Sequence, residues 1–230
     1  MKHHFFILSS LLFLMTSCQQ PAKTQEETTK VEKTFTEMDL TTFETIKLTA
    51  PAVESGQPLL TAMQNRKSDR EFSDKNLSLE HLSEILWAAN GINRAGENKR
   101  TVPSAMAIYP LDTYVFLANG VYKYIPETHE LTPVVAGDHR ALSGLQPFVE
   151  TAPLNLVFIA DYHKYSRVPA ERRIYLAALD AGHCAQNVYL YCASEGLKSV
   201  VRAGAQEQAV LELLGLDENY QFVVAQTVGY

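Results

Sequence analysis

A long, uninterrupted helical pattern near the C-terminal end constrains the fold of this chain more than any other sequence feature. Residues 170–195 keep apolar side chains at the spacing of an α-helix, and Gly196 is placed to end it. The apolar positions are Ile174, Ala177, Ala178, Ala181, Cys184, Ala185, Val188 and Tyr191. Because Ala181, Gly182 and Ala185 are small, we expect that another backbone can approach this helix closely.

The same helix carries two of the three cysteines of the chain. Cys184 and Cys192 are eight residues apart, which corresponds to roughly 12 Å along a helix axis. A disulfide requires Cα atoms within about 7 Å of each other. We therefore expect two buried free thiols.

The rest of the chain mixes helices and strands without regular alternation, which predicts an α+β fold. Asn119-Gly120 is a strong hairpin signal between two apolar stretches, and residues 154–160 form one continuous apolar run of strand length. Ser78 predicts the start of an amphipathic helix that Gly91 ends. The predicted helices are 58–64, 79–90, 103–106, 170–195 and 206–214, the predicted strands are 114–118, 121–125, 131–135, 154–160, 198–202 and 221–228, and the predicted exposed loop is 93–102.

The N-terminal residues predict a processing signal and a tether rather than part of the fold. Residues 1–17 combine a short basic start with an apolar run of signal-peptide length, and the sequence around Cys18 resembles a bacterial lipobox. Acyl chains on Cys18 would anchor the protein stably, so we expect a lipoprotein of the cell envelope, periplasmic or in the outer membrane. An ordinary secretory signal is the alternative. Residues 18–45 predict a disordered tether, and residues 46–230 the folded domain.

Charge and missing motifs exclude several classes of protein. The formal net charge of −6 argues against a general nucleic-acid-binding protein, which needs a basic face. The chain has no G-x-G-x-x-G after a strand, no Walker loop and no G-x-S-x-G. Asp180, His183 and Cys184 share a helix face without evident further ligands, so a packed helix is favoured over a metal site.

A cationic segment stands out against this acidic background. Arg66, Ser68 and Arg70 alternate along the stretch N-R-K-S-D-R-E-F. Alternate residues of an extended segment face the same way, so two guanidinium groups and a hydroxyl could bind a phosphate or another anion with several oxygen atoms. The alternative is a solvated turn in which neighbouring Asp and Glu side chains balance the cations.

The order of motifs along residues 46–230 resembles that of the FMN-dependent nitroreductase family, in particular its branch that includes azoline oxidases. R-K-S-D-R-E-F is similar to the family's opening R-x-S-x-R-x-F. The later motifs follow in the family's order: L-S-L-E-H-L-S-E-I-L-W-A-A-N-G-I-N-R, R-T-V-P-S-A-M-A-I-Y-P, A-P-L-N-L-V-F-I-A-D, L-D-A-G-H-C-A-Q-N-V-Y-L and G-L-K-S-V-V-R-A-G. The resemblance implies a central mixed or antiparallel sheet flanked by helices, in an intertwined homodimer with FMN at the subunit interface.

The same resemblance implies which residues would bind FMN. They are Arg66, Ser68, Arg70, Pro103, Ser104, Ala105, Gln146, Ala203 and Gly204. The first three would hold the phosphate, the ribityl chain and the ring edge, and the next three would line the flavin of the other subunit. Gln146 would contact the polar edge of the flavin, and the backbone N–H groups of Ala203 and Gly204 would lie near N5. No catalytic side chain is implied, because the cofactor itself transfers hydride.

The function implied is transfer of hydride or electrons from a small-molecule donor, through flavin N5, to an electron-poor organic acceptor such as a nitroaromatic compound or a quinone. Val168 and Pro169 stand where azoline oxidases carry a Lys-Tyr pair, which argues against azoline oxidation. Many relatives continue with basic residues beyond the final V-G, so Arg202 or Arg100 could supplement the phosphate site here. The alternative is a degenerate envelope lipoprotein that binds a flavin, a ligand or a partner without turnover.

Overall fold

A seven-stranded sheet lies at the centre of the fold in the computed structural model, which describes Met1 and residues 34–230. The strands are β1 Ile46–Lys47, β2 Ile92–Arg94, β3 Lys99–Arg100, β4 Leu111–Leu117, β5 Gly120–Ile125, β6 Glu130–Ala136, β7 Leu154–Asp161, β8 Lys198–Arg202 and β9 Tyr220–Gly229, and the α-helices are α1 Leu59–Asn65, α2 Leu79–Asn90, α3 Ala170–Glu195 and α4 Glu207–Leu213. The order across the sheet is β1-β6-β5-β4-β7-β9-β8, and β2 pairs with β3 in a separate hairpin. All of these strand pairs are antiparallel.

Helices cover both faces of the sheet. Val115 of β4 and Leu156 of β7 point to the face under α2 and α3, where the larger apolar cluster lies. Phe116 and Val157, their neighbours along these strands, point to the other face and pack with Val210 of α4. Because side chains of a strand alternate between faces, a strand buried on both sides has an uninterrupted apolar sequence. This explains the continuous apolar run of β7.

Most predicted elements are confirmed, as is the α+β fold class. Helix α3 and strand β8 have the predicted bounds. Ser78 Oγ accepts a hydrogen bond from His81 N at 3.1 Å, which caps α2 as expected. Asn119-Gly120 turns β4 into β5, and the two helical cysteines are buried and free, also as expected.

Two local predictions are wrong. The expected loop at 93–102 contains most of the β2–β3 hairpin, in which Ile92 pairs with Arg100. The expected helix at 103–106 is only a 3-10 turn at Ala105–Ala107. Met106 and Ala107 both have a left-handed φ of 54°, which a right-handed helix cannot continue.

The segment that leads into the domain also differs from the prediction, because residues 36–43 are ordered against it rather than part of a tether. Leu79 N donates to Thr36 O at 2.9 Å, Met38 is buried, and the Phe43 ring lies 5.1 Å from that of Tyr122. The folded part therefore starts at or before Thr36. Apart from Met1, the predicted signal peptide and Cys18 lie outside the described residues. None of the helices in the described part is long and apolar enough to cross a membrane.

Candidate functional site

The cationic segment leaves α1 in an extended conformation and lies beside β8, the edge strand of the sheet. Arg66, which follows the last residue of α1, has φ −57° and ψ 123°. Asp69 N then donates to Ser199 O of β8 at 3.0 Å. The predicted extended geometry of this segment is therefore present at Arg66, and the segment is fixed to the sheet.

The two arginines of this segment have no acidic partner in the described part of the chain. Within residues 34–230, no carboxylate forms an ion pair with Arg66 or Arg70. Asp69 pairs instead with Lys67, at 3.1 Å. The balanced-turn alternative therefore accounts for Lys67 but leaves the guanidinium groups of both arginines available for an anion.

Tyr189 of α3 ties the segment to the sheet. Its hydroxyl lies 2.8 Å from Ser68 Oγ and accepts a hydrogen bond from Val201 N, also at 2.8 Å. The guanidinium carbon of Arg66 lies 5.3 Å from the centre of the Tyr189 ring, within the range of a cation–π interaction. No local sequence pattern marks Tyr189 as a site residue, because its contact with Ser68 spans 121 residues of sequence.

The loop of residues 140–151 brings Gln146 next to the turn that follows β8. Gln206 N donates to Leu142 O at 3.2 Å, and a Cβ atom at Gly204 would lie 3.3 Å from Leu145. Gln146 Oε1 is buried and has no hydrogen-bond partner in the described structure. Buried acceptors are nearly always paired, so this oxygen could accept a hydrogen bond from a ligand. Three sequence-predicted positions, Gln146, Ala203 and Gly204, are thus brought together.

The two arginines considered as supplementary phosphate ligands are engaged elsewhere. Arg202 is 5% exposed, and its guanidinium binds Ser143 O, Asn155 Oδ1 and Thr227 Oγ1. Burial lowers the pKa of Arg202 to about 10. Arg100 Nη2 lies 3.3 Å from Glu127 Oε1.

Pro103, Ser104 and Ala105 lie at a different place, against α3. Ser104 Oγ donates to Asp180 Oδ2 at 2.6 Å and accepts from Tyr109 N at 2.9 Å. Burial raises the pKa of Asp180. Tyr109, two residues beyond the 3-10 turn, also has a left-handed φ, of 49°. Such strain is often found at ligand sites.

Helix α3 separates the two groups of predicted residues. The cationic segment contacts Tyr189, whereas Ser104 contacts Asp180. These helix positions are nine residues apart, which corresponds to about 14 Å of rise and about two and a half turns, so they project from opposite sides. A single chain therefore does not bring Ser68 and Ser104 to one ligand.

Other candidate features of the sequence have structural roles. No group of three metal-ligating side chains is found in the described part of the chain, and Asp180 is bound to Ser104.

Lys164, which precedes a buried Tyr165, lies 2.8 Å from Asp112 Oδ1 at a cavity of about 460 Å³. Although burial opposes ionisation of Asp112, Lys164 and Lys123 lower its pKa.

The fold is that expected of the family whose motifs the sequence resembles, and comparisons with known proteins agree on the fold and on the general class of flavin-dependent oxidoreductases. A sequence profile described as the nitroreductase family matches residues 63–230. The chain therefore belongs to the nitroreductase family. It is 36% identical over 185 residues to the protein MJ1384 of Methanocaldococcus jannaschii, provisionally described as a nitroreductase, covering 76% of this chain and 92% of that protein.

One solved structure and two more distant relatives are also similar to this chain. A crystal structure from Ralstonia eutropha, also provisionally described as a nitroreductase, has a TM-score of 0.78 at 39% identity and covers 87% of this chain and 95% of that one. The NADPH-flavin oxidoreductase of Vibrio harveyi is 33% identical over 96 residues, 38% of this chain and 40% of that protein. The microcin B17-processing protein McbC of Escherichia coli is 28% identical over 163 residues, 64% of this chain and 60% of that protein.

Proposed function

We propose that this protein is an FMN-dependent oxidoreductase that works as a homodimer. It passes electrons from a small-molecule donor to an electron-poor organic acceptor, such as a nitroaromatic compound or a quinone. The observation that carries the proposal is the division of the predicted cofactor residues between opposite sides of α3, in a chain of the nitroreductase family. A second copy would bring its Pro103–Ala105 segment to the cationic segment of the first.

The residues around the cationic segment fit a phosphate-bearing cofactor. Arg66 and Arg70 have no acidic partner among the described residues, and Ser68 is exposed. The Tyr189 hydroxyl orients the Ser68 hydroxyl, and the Tyr189 ring packs against the guanidinium of Arg66. Arginine side chains bind phosphate oxygens in pairs, so these groups would neutralise the phosphate and fix its position.

Gln146 and the two residues that follow β8 fit the ring of the flavin. The unpaired Gln146 Oε1 would accept a hydrogen bond from the polar edge of the ring. Ala203 is exposed and Gly204 half-buried, so a ligand can reach their backbone N–H groups. Donors at this position would favour electron density at the reacting edge. When bound, FMN would supply two-electron chemistry at N5.

The outer face of α3 fits a contact between two copies of the chain. Tyr175 and Leu179 are 56% and 44% exposed on this helix and lie on one side of it. Gly182 lies on the same side and has no atom within 4 Å of the position of a Cβ. Exposed apolar side chains that follow one helix face are typical of an interaction surface. The small residues Ala181 and Ala185, in contrast, pack inside the chain.

Reduction of an acceptor is proposed in preference to azoline oxidation. Val168 and Pro169 occupy the positions at which the azoline oxidases carry Lys and Tyr. The nearby Lys164 is bound to Asp112, and Tyr165 is buried, so this pair does not replace the missing one.

The test is reconstitution with FMN. The purified protein is mixed with FMN, excess cofactor is removed, and the visible spectrum is recorded. We expect about one FMN per chain, reduction of the bound flavin by NADPH or NADH under anaerobic conditions, and reoxidation by a quinone. An Arg66→Ala, Arg70→Ala double variant should lose FMN, whereas Lys67→Ala, a matched cation paired with Asp69, should keep it. Normal FMN content in the double variant would refute the phosphate site.

We also propose that the protein is lipid-anchored through Cys18 in the cell envelope. The lipobox-like sequence around Cys18 supports this proposal. Mass spectrometry of the mature N-terminus tests it directly. An acylated Cys18 is expected, and an unmodified or absent Cys18 would refute the anchor without affecting the proposed flavin chemistry.

A further inference from the structure

Arg202 is a buried cation without a counter-ion in the described part of the chain. It is the last residue of β8 and is 5% exposed. Its guanidinium donates to Thr227 Oγ1 at 3.0 Å, to Ser143 O at 2.6 Å and to Asn155 Oδ1 at 3.1 Å. All three acceptors are uncharged. Because burial of a charge is costly unless it is paired, a positive charge held only by neutral dipoles suggests a functional use.

The geometry around Arg202 links it to the proposed flavin site on two sides. It directly precedes Ala203 and Gly204 in the chain. It also packs directly against the loop that carries Gln146, because a Cβ atom at Gly144 would overlap Arg202 Nη1. One side chain therefore fixes both the turn after β8 and the neighbouring loop.

We propose that Arg202 is a positioning residue of the flavin site and that its unbalanced charge favours the reduced cofactor over the oxidised one. This inference rests on the proposed function. When oxidised flavin takes up two electrons and one proton from a reductant, its net charge becomes more negative by one unit. A nearby cation that no carboxylate neutralises stabilises that charge, and more strongly where water is excluded.

The choice of arginine fits both parts of this role. Its planar fork reaches three acceptors from β7, β9 and the loop at once, which a lysine cannot reproduce. It also remains cationic at neutral pH despite its burial, since its pKa stays near 10. Removal of the charge and loss of the fork should therefore have different consequences.

The experiment measures the midpoint potential of bound FMN by anaerobic titration with dithionite against a reference dye. Arg202→Met removes the charge, and Arg202→Lys keeps the charge but loses the fork. The matched control is Arg140→Met. Arg140 is the first residue of this loop and holds its other end, through Thr151 O at 3.3 Å and Ala152 O at 2.9 Å, but Asp138 balances its charge at 2.7 Å.

We expect Arg202→Met to shift the redox equilibrium of the bound flavin at least tenfold toward the oxidised form, which is about 30 mV for a two-electron couple. Arg202→Lys should keep most of the potential but bind FMN more weakly, and Arg140→Met should leave the potential unchanged. An unchanged potential in Arg202→Met would overturn the inference. A shift in Arg202→Lys or in Arg140→Met as large as that in Arg202→Met would overturn it as well.

A second variant covers the case in which Arg202→Met does not fold, as judged by circular dichroism. Asn155→Asp places a carboxylate beside Arg202 Nη2 and neutralises the cation in place. The potential should fall here as well, and an unchanged potential with FMN bound would refute the role of the charge. If the wild-type protein binds no FMN, the proposed function fails and this inference with it, whereas bound FMN with unaltered potentials removes only the inference.

Discussion

Replacement of Tyr189 by Phe tests how the cationic segment is held. The change removes one hydroxyl, which lies 2.8 Å from both Ser68 Oγ and Val201 N. The ring remains, so the cation–π contact with Arg66 at 5.3 Å is preserved. The variant therefore separates the hydrogen bonds of Tyr189 from its packing.

The size of the effect follows from the burial of the groups that lose their partner. A buried polar group without a partner costs about 1–3 kcal/mol. Tyr189 and Val201 are half-buried, so water can replace part of the interaction and we expect a loss of about 1–1.5 kcal/mol in the free energy of unfolding. FMN affinity should also fall, by roughly three- to tenfold, because about 1.4 kcal/mol corresponds to a factor of ten.

Urea unfolding followed by circular dichroism, and FMN titration followed by flavin fluorescence, measure the two effects. Tyr162→Phe is the matched control. Tyr162 is half-buried and lies beneath the guanidinium of Arg173, at 5.9 Å, but its hydroxyl has no hydrogen bond in the described structure. If Tyr189→Phe has the same unfolding midpoint and FMN affinity as Tyr162→Phe, the bridging role of Tyr189 is wrong.

Three further predictions concern the dimer, one buried carboxyl group and one glycine. Leu179→Arg should produce a monomer in light scattering and lose FMN, whereas Val134→Arg, at another exposed apolar residue, should do neither; a dimeric Leu179→Arg protein would contradict the proposed seam. Because burial raises the pKa of Asp180, stability from its protonated form is present at low pH and is lost as the pH rises through the folded-state pKa. Asp180→Asn should therefore become more stable relative to the wild type between about pH 4 and pH 7 in urea titrations, and parallel pH profiles would argue against this. Gly144→Ala should destabilise the protein by about 1–3 kcal/mol, because its Cβ would overlap Arg202, and an unchanged melting temperature would show that the loop can move away.

Local patterns in the sequence were sufficient for most of the fold. The apolar period of α3, the Ser78 cap of α2 and the Asn119-Gly120 turn all act through neighbours a few residues away, and each was predicted at its observed place. The turn at 105–107 was not predicted, because Met106 adopts a left-handed φ that a residue of its type does not favour.

The residues of the candidate site likewise include some that local sequence patterns identify and others that only contacts in the folded chain reveal. The alternating Arg66, Ser68 and Arg70 were identifiable from the sequence, since their spacing alone places them on one side of an extended segment. Contacts between distant parts of the chain were not, and they include the Tyr189 bridge and the inward orientation of Arg202, whose partner Ser143 is 59 residues away.

The sequence by itself thus determined the order of elements, the fold class and the cationic segment, because helical and strand periods and turn chemistry depend on residues close together in the chain. Only the tertiary structure decided that Ser68 and Ser104 contact opposite sides of α3. Packing of the helix against the sheet sets which of its sides each segment reaches, and no local pattern records that choice.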